Sequence, residues 1–299
     1  MRLVYSAKYR VDIGTHVFAT AKYGLVLEHL RASGWLDRAS VIEPTAASWD
    51  DLARVHGRVY LDKLRRGHLT PYEVARLEVP WSAEIVEGFR LMTGGTIAAA
   101  RAARDHGAAV HLGGGFHHAF RDHGEGFCVF NDVAVAVEAL RAEGRLRRAA
   151  IVDCDVHHGN GTAAIFANDP DVFTLSIHQA RNYPAIKPPS RIDIHLDDGT
   201  GDEEYLERLA PALDEALGSS PDLVFYLAGA DPYFDDQLGG LALTLQGLRR
   251  RDALVLGAAA RASVPVVVTL AGGYARRLED TVTIHAATVE EACKAARAL

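Results

Sequence analysis

Short apolar runs rich in β-branched residues place the strongest constraint on the fold of this chain. They alternate with longer stretches of helical periodicity, which is typical of a mostly parallel sheet covered by helices on both faces. We predict strands at residues 108–112, 149–155, 172–178, 222–229 and 264–273, and an N-terminal strand at 3–5.

The intervening segments predict helices on both sides of this sheet. Their apolar residues recur at helical spacing, and no linker or repeat interrupts the 299 residues. The predicted helices are 23–32, 83–105, 132–143, 202–217, 245–261 and 289–298. The expected architecture is a three-layer α/β/α fold with a central, mostly parallel sheet, formed by residues 1–299 as one domain.

The charge balance bears on possible partners. The chain has 32 Lys and Arg against 39 Asp and Glu, a net charge of −7. It therefore lacks an overall positive field that could hold a phosphate backbone, and we expect no direct contact with nucleic acid. The number of subunits cannot be read from these features.

Targeting signals are not apparent in the sequence. The N-terminal residues MRLVYSAKYR resemble a short strand rather than a signal peptide, and no apolar run reaches about 18 residues. The three cysteines form no paired framework. We therefore expect a cytoplasmic protein without a membrane span.

Polar motifs follow four of the predicted strands. Because ligands bind at the carboxyl ends of the strands in open parallel sheets, these motifs predict a common site. In chain order they are GGGFHHAF with His117 and His118, DCDVHHGNGT with Asp153, Asp155, His157 and Asn160, GADPY with Asp231, and AGGY with Tyr274.

The D-x-D-x-H motif indicates a metal site. Alternate residues of an extended chain share one face, so Asp153, Asp155 and His157 would point the same way, and Asp231 could add a carboxylate. Two carboxylates and one imidazole with an open position are typical of catalytic zinc, although iron, cobalt or manganese could bind the same ligands. Alternation alone does not decide which two of the three residues bind the metal, nor does it rank His117 against His118.

Five ordered motifs together resemble the histone deacetylase family of zinc-dependent deacylases, which has the arginase/deacetylase fold. These motifs are GGGFHHA, GFCVFND, DCDVHHGNGT, GADPY and AGGY, and the resemblance extends over residues 2–296. The compact length, the GGGFHHA spelling, and His16-x-Phe18 followed by Lys22-Tyr23 look most like class IV and its bacterial relatives.

The resemblance implies two ion sites. Zinc would be bound by Asp155, His157 and Asp231, with Fe²⁺ or Co²⁺ possible in its place. Asp153 would lie behind His117 rather than bind zinc. A structural potassium ion would be bound by Asp153, Asp155, His157, Ser176 and the carbonyl group of Ile177.

The same resemblance assigns catalytic roles. His118 would be the general base and acid, with Asn160 as its partner where some branches have Asp. Because an amide stabilises an imidazolium less than a carboxylate does, we expect a less basic His118. Tyr274 and zinc would stabilise the oxyanion, and His117 would contribute charge and position.

A narrow tube for the acylated side chain is also implied. Phe127 would form one aromatic wall, Tyr183 the opposite wall, and the Gly126 carbonyl would accept the scissile N–H group. We expect His16, His111, His123 and His178 to be structural.

Several functions remain open at this point. The expected reaction is removal of an acetyl or longer acyl group from lysine side chains, and acyl length cannot be read from the sequence. A deacetylase of small amines such as acetylpolyamines is the main alternative. A two-manganese ureohydrolase fits poorly, because its further Asp and His ligands are replaced by GFHH and GADPY. A non-catalytic acyl-lysine binder would be expected to lack a zinc ligand, His118 or Tyr274.

Overall fold

Strands buried on both faces are mostly apolar, and the predicted runs form the centre of such a sheet. The computed structural model describes residues 1–36 and 40–296, and within them eight strands form one sheet in which every pairing is parallel. The strands are β1 Arg2–Val4, β2 Ser40–Ile42, β3 Ala108–His111, β4 Ala149–Asp153, β5 Val172–Gln179, β6 Ile192–Leu196, β7 Leu223–Leu227 and β8 Val266–Thr269.

The order of the strands explains how distant motifs meet. It is β2-β1-β3-β8-β7-β4-β5-β6, so the four strands that precede the polar motifs are consecutive neighbours in the centre of the sheet. Their carboxyl ends therefore form one continuous edge, as the α/β prediction requires.

Ten α-helices accompany the sheet within the described residues. They are α1 Lys22–Ala32, α2 Trp49–Ala53, α3 Arg58–Arg66, α4 Pro71–Leu77, α5 Ala83–His106, α6 Asp132–Ala142, α7 Asn160–Phe166, α8 Asp202–Gly218, α9 Leu245–Arg261 and α10 Leu278–Ala295. The helices predicted at 23–32, 83–105, 132–143, 202–217 and 245–261 match α1, α5, α6, α8 and α9 to within one residue at each end.

The last helix was predicted too short at its start. It begins at Leu278 rather than at residue 289, because the buried face of its first half carries polar residues, Thr281, His285 and Thr288, which hide the apolar periodicity. The predicted end at Ala298 lies outside the described residues.

Two strands were missed, and both lie at the edges of the sheet. β2 has only three residues, none of them buried, and β6 mixes exposed and buried positions. Edge strands with exposed polar residues lack the continuous apolar run that marks a central strand.

The predicted strand at 149–155 was too long. Pairing ends at Asp153, so Asp155 and His157 lie in the bends after the strand rather than on an extended chain. Similarly, the run at 264–273 forms a strand only over Val266–Thr269, because its glycine-rich end becomes a loop.

Two adjacent glycines allow α5 to approach its neighbours closely. A Cβ atom on Gly94 would lie 1.9 Å from the carbonyl oxygen of Thr45, and one on Gly95 would lie 2.3 Å from His111 Nε2. Both positions therefore exclude larger residues, which accounts for a Gly-Gly pair inside a helix of 24 residues.

None of the helices formed by residues 1–36 and 40–296 has the length and apolar character needed to cross a bilayer.

Candidate active site

Three side chains at the central strand ends form a compact group of potential metal ligands. Asp155 and His157 follow β4, Asp231 follows β7, and one ligand atom from each lies within 4.8 Å of the others. All three are buried. Asp155 and His157 also line a cavity that opens from this sheet edge.

This group has the properties of a cation site. His157 Nδ1 lies 2.9 Å from Asp155 Oδ1, but Oδ2 of the fully buried Asp231 has no hydrogen-bond partner among the described residues and lies 3.6 Å from His157 Nδ1. Burial, and then the negative charge of Asp155, raise the pKa of Asp231. Two buried carboxylates that destabilise each other's charge fit a divalent cation, which would neutralise both.

Space beside the two carboxylates is kept by Gly272, which follows β8. A Cβ atom at this position would lie 1.9 Å from Asp231 Oδ2 and 2.5 Å from Asp155 Oδ2. The backbone N–H of Gly272 donates a hydrogen bond to Asp155 Oδ2 over 2.9 Å. The glycine of the AGGY motif therefore allows the β8 loop to pass directly over the carboxylates.

His117 and Asp153 form a buried pair behind the metal ligands. Asp153 Oδ2 accepts a hydrogen bond from His117 Nδ1 over 2.7 Å. Burial disfavours the imidazolium, but the charges of Asp153 and Asp155 outweigh this effect and raise the pKa of His117 to about 9. His117 Nε2 lies 3.1 Å from His118 Nε2, so a protonated His117 can donate to its neighbour.

His118 has a different environment from His117. Its Nδ1 lies 2.7 Å from Asn160 Oδ1, the partner that the sequence resemblance implies. Burial and the positive charges of His117 and His157 lower its pKa well below the usual range. The lowered pKa keeps the imidazole neutral, so one ring nitrogen has a lone pair that can accept a proton.

Glu125 completes this chain of contacts and was missed in the sequence. Its Oε1 accepts hydrogen bonds from Asn160 Nδ2 and from the Tyr183 hydroxyl, the latter over 3.2 Å. The signal that could have identified it is a carboxylate between two glycines in GEGFCVFND, two positions before Phe127.

Tyr274 is held on the cavity wall through its backbone. Its N–H group donates to Asp236 Oδ2 over 2.6 Å, and its ring lies edge-on to Phe127 with 5.9 Å between ring centroids. The buried Lys22 donates to the carbonyl oxygen of Ala271 over 3.0 Å, beneath the same loop. The sequence marked Lys22 only as part of the family resemblance.

Aromatic side chains form the walls of the cavity. The Phe127 ring stacks parallel to Phe18 at 6.3 Å, and the Tyr183 ring lies edge-on to His118 at 4.9 Å. Gly126 and Phe127 both have positive φ angles, of 52° and 67°. A Cβ atom on Gly126 would lie 2.7 Å from the His118 ring, so only glycine fits this close approach.

The residues implied in a potassium site lie beside Asp153. Ser176 pairs with Asp153 across β4 and β5, and Ile177 follows it in β5. The Ser176 hydroxyl contacts His178 Nδ1 at 2.9 Å, and His178 Nε2 contacts His195 Nδ1 at 2.8 Å.

His178 also belongs to a second group of potential ligands, with His158 and Asp193. Its contacts to Ser176 and His195 link β5 to the edge strand β6, which suits the structural role expected from the sequence. His111 likewise uses both ring nitrogens in contacts with other side chains: they lie 2.9 Å from Thr96 Oγ1 and 2.8 Å from Tyr9 Oη.

Comparison with known proteins identifies relatives over nearly the whole chain. Residues 16–289 match the model of the histone deacetylase domain. An uncharacterized protein of Picosynechococcus sp. is 41% identical over 285 residues, 95% of each chain. Histone deacetylase 2 of Arabidopsis thaliana is 33% identical over 302 residues, which cover 94% of this chain and 77% of the plant protein. The crystal structure of the HDA15 HD domain superposes with a TM-score of 0.83 at 23% identity, covering 98% of this chain and 88% of that one.

Proposed function

Because the chain belongs to the histone deacetylase family, we propose that it is a metal-dependent hydrolase that removes acyl groups from lysine side chains. The observation that carries the proposal is the meeting of three potential metal ligands, two adjacent histidines and a tyrosine at one cavity. We propose that residues 1–299 act as one catalytic domain.

Asp155, His157 and Asp231 would hold the cation, for which zinc is our first choice and Fe²⁺ or Co²⁺ the alternatives. When bound, such an ion polarises the acyl carbonyl and lowers the pKa of a coordinated water. A structural potassium ion would be held by Asp153, Asp155, His157, Ser176 and the Ile177 carbonyl group.

His118 carries the proton in the proposed reaction. It takes a proton from the attacking water and returns it to the leaving amine. His117 and Asp153 form a charged pair at its side, 3.1 Å away through the two Nε2 atoms, and this charge disfavours a second imidazolium. The low basicity of His118 thereby favours delivery of the proton to the amine.

The remaining groups position the amide and stabilise charge. The phenol of Tyr274 donates a hydrogen bond to the oxyanion that develops on the acyl carbonyl. The Gly126 carbonyl accepts the N–H group of the scissile amide. Phe127 and Tyr183 exclude water from the aliphatic stem of the substrate.

The cavity has a lining that suits a substrate with both apolar and polar parts. Its volume is about 190 Å³, and its wall is mostly apolar side chains and glycine backbone around the polar groups at its base. An acylated lysine side chain has this form, with an aliphatic stem and one polar amide. Acetyl and longer acyl groups are both candidates.

A small acetylated amine is the second candidate substrate. The carboxylate of Glu78 lines the same cavity and is exposed to solvent, where it could pair with a distal ammonium group of an acetylpolyamine. A lysine side chain within a peptide carries no such second amine.

A substrate panel tests the proposal and separates the two candidates. Zinc-loaded protein is assayed against lysine peptides carrying acyl groups from acetyl to myristoyl, and against acetylated polyamines. Hydrolysis of lysine peptides with the higher kcat/KM supports the main proposal, and preference for polyamines that is lost in Glu78→Gln supports the second. Absence of hydrolysis with every substrate would contradict both.

A further inference from the structure

The carboxylate of Glu125 lies behind the His118–Asn160 contact. We infer that Glu125 is a positioning residue that fixes the direction of the hydrogen bond between Asn160 and His118, and that residues 125 and 160 work as a matched pair. This inference rests on the proposed function, in which His118 must present a free nitrogen lone pair.

Glu125 is ionised and almost completely buried. Its Oε2 accepts a hydrogen bond from Arg76 Nε over 2.7 Å and lies 3.3 Å from His123 Nε2. Burial disfavours the charge, but the neighbouring His123, hydrogen bonds from Asn160 and Arg76, and the Arg76 charge lower the pKa of Glu125 to about 2. An ionised carboxylate is an acceptor only, so every polar neighbour of Glu125 must present a donor to it.

This requirement sets the orientation of the Asn160 amide. An asparagine has one acceptor oxygen and one donor nitrogen, and Nδ2 is the atom that faces Glu125 Oε1. Oδ1 must then face His118 Nδ1, 2.7 Å away, and it can only accept. His118 therefore carries its proton on Nδ1, and Nε2 keeps the lone pair on the cavity side.

Without Glu125, the amide loses the contact that distinguishes its two ends. Rotation by 180° would direct Nδ2 at His118 Nδ1, and only the donor from protonated His117, 3.1 Å from His118 Nε2, would then oppose the tautomer with a proton on Nε2, which cannot act as a base. The carboxylate also accounts for asparagine at position 160. An aspartate there would place a second buried carboxylate against Glu125 without a donor between them.

Tyr183 joins the same carboxylate to the cavity wall. Its hydroxyl donates to Glu125 Oε1 over 3.2 Å, and its ring lies edge-on to His118. Tyr183→Phe would remove this donor without changing the Asn160 contact. It is therefore the matched control for the effect of Glu125→Met on the tautomer of His118.

Exchanging the carboxylate and the amide between positions 125 and 160 tests this pair in the zinc-loaded protein. Glu125→Met and Asn160→Asp should each lower kcat by about 10- to 100-fold, the usual effect of residues that orient catalytic ligands, with a smaller change in KM. The double variant E125Q/N160D restores a donor at 125 and an acceptor at 160, and it should recover kcat to within about fivefold of the wild type. A double variant no more active than Asn160→Asp would overturn the inference.

The tautomer of His118 gives a readout that does not depend on activity. Long-range ¹H–¹⁵N spectra of ¹⁵N-histidine protein should show the His118 proton on Nδ1 in the wild type and in Tyr183→Phe, and a shift toward Nε2 in Glu125→Met. Thermal melting identifies any variant that is unfolded. An unchanged tautomer in folded Glu125→Met would contradict the inference, whereas an inactive wild type with the predicted tautomers would contradict only the proposed function.

Discussion

Asp153 Oδ2 accepts a hydrogen bond from His117 Nδ1 over 2.7 Å. The other oxygen of the same carboxylate accepts the backbone N–H of Asp155 over 3.1 Å. One buried side chain thus orients both a cavity imidazole and the backbone of a proposed metal ligand. The site depends on this residue even though it does not line the cavity.

We predict that Asp153→Asn impairs both functions of the carboxylate. Loss of a group that orients metal ligands should lower kcat and metal affinity by about 10- to 100-fold. Steady-state kinetics and zinc titration measure the two effects. Asp197→Asn is the control, because Asp197 is exposed and its carboxylate lies 4.0 Å from the exposed Arg181 guanidinium. If Asp153→Asn and Asp197→Asn had the same kcat and the same zinc affinity, the proposed role of Asp153 would be wrong.

Tyr274→Phe removes only the phenolic oxygen from the cavity wall. Since one lost oxyanion donor usually lowers kcat by about 10²- to 10³-fold, a decrease of this size is expected, with metal content unchanged. Kinetics on an acyl-lysine peptide provide the measurement. Tyr72→Phe, at an exposed position, is the control and should match the wild type. Turnover of Tyr274→Phe at the wild-type rate would exclude the proposed role.

Asp231→Asn should have opposite effects on the melting temperature of the metal-free protein and on its increase when zinc binds. Burial and the charge of Asp155 raise the pKa of Asp231, so a neutral side chain should melt at the same temperature as the metal-free wild type or above it. Added zinc stabilises a protein that binds it in the folded state, so it should raise the Tm of the wild type but not of Asp231→Asn. Equal zinc-induced shifts in both proteins would show that Asp231 does not bind the ion.

The buried His56 predicts a loss of stability in mild acid. Burial, the largest cause, and the charge of Arg121 lower its pKa to about 4 from the usual 6.5, although a hydrogen bond to Phe120 opposes the shift. Below pH 6.5 the unfolded chain takes up a proton that folded His56 does not bind, so the free energy of unfolding falls as the pH drops from 6.5 toward 4.

His56→Asn tests this prediction, because its amide can still donate to the Phe120 carbonyl but does not titrate. The free energy of unfolding of the wild type and of His56→Asn is measured by denaturant unfolding at several pH values between 4 and 6.5. Plotted against pH, it should rise more steeply for the wild type by about 1.4 kcal/mol per pH unit, the effect of one proton. Identical slopes would mean that His56 is protonated in the folded protein.

The sequence predicts the centre of this molecule better than its edges. Apolar runs locate the strands before His117, Asp155, Asp231 and Tyr274, because strands buried on both faces are mostly apolar. β6 was missed since half of an edge strand faces solvent.

The Glu125–Asn160 contact lies between a loop and the start of α7, across 35 positions of sequence. Periodicity carries no information about such contacts, because loop conformation and strand order together decide which loops meet. His157 similarly reaches the site through bends after β4 rather than by alternation along a strand.

Metal-dependent amide hydrolysis with His118 as the base can be tested by comparing the wild type with His118→Ala at matched zinc content. The measurement is release of free lysine amine and carboxylic acid from an acyl-lysine peptide. We predict hydrolysis by the zinc-loaded wild type, none after the metal is removed, and none by zinc-loaded His118→Ala. Equal hydrolysis by the two zinc-loaded proteins, or by the metal-free wild type, would contradict this prediction.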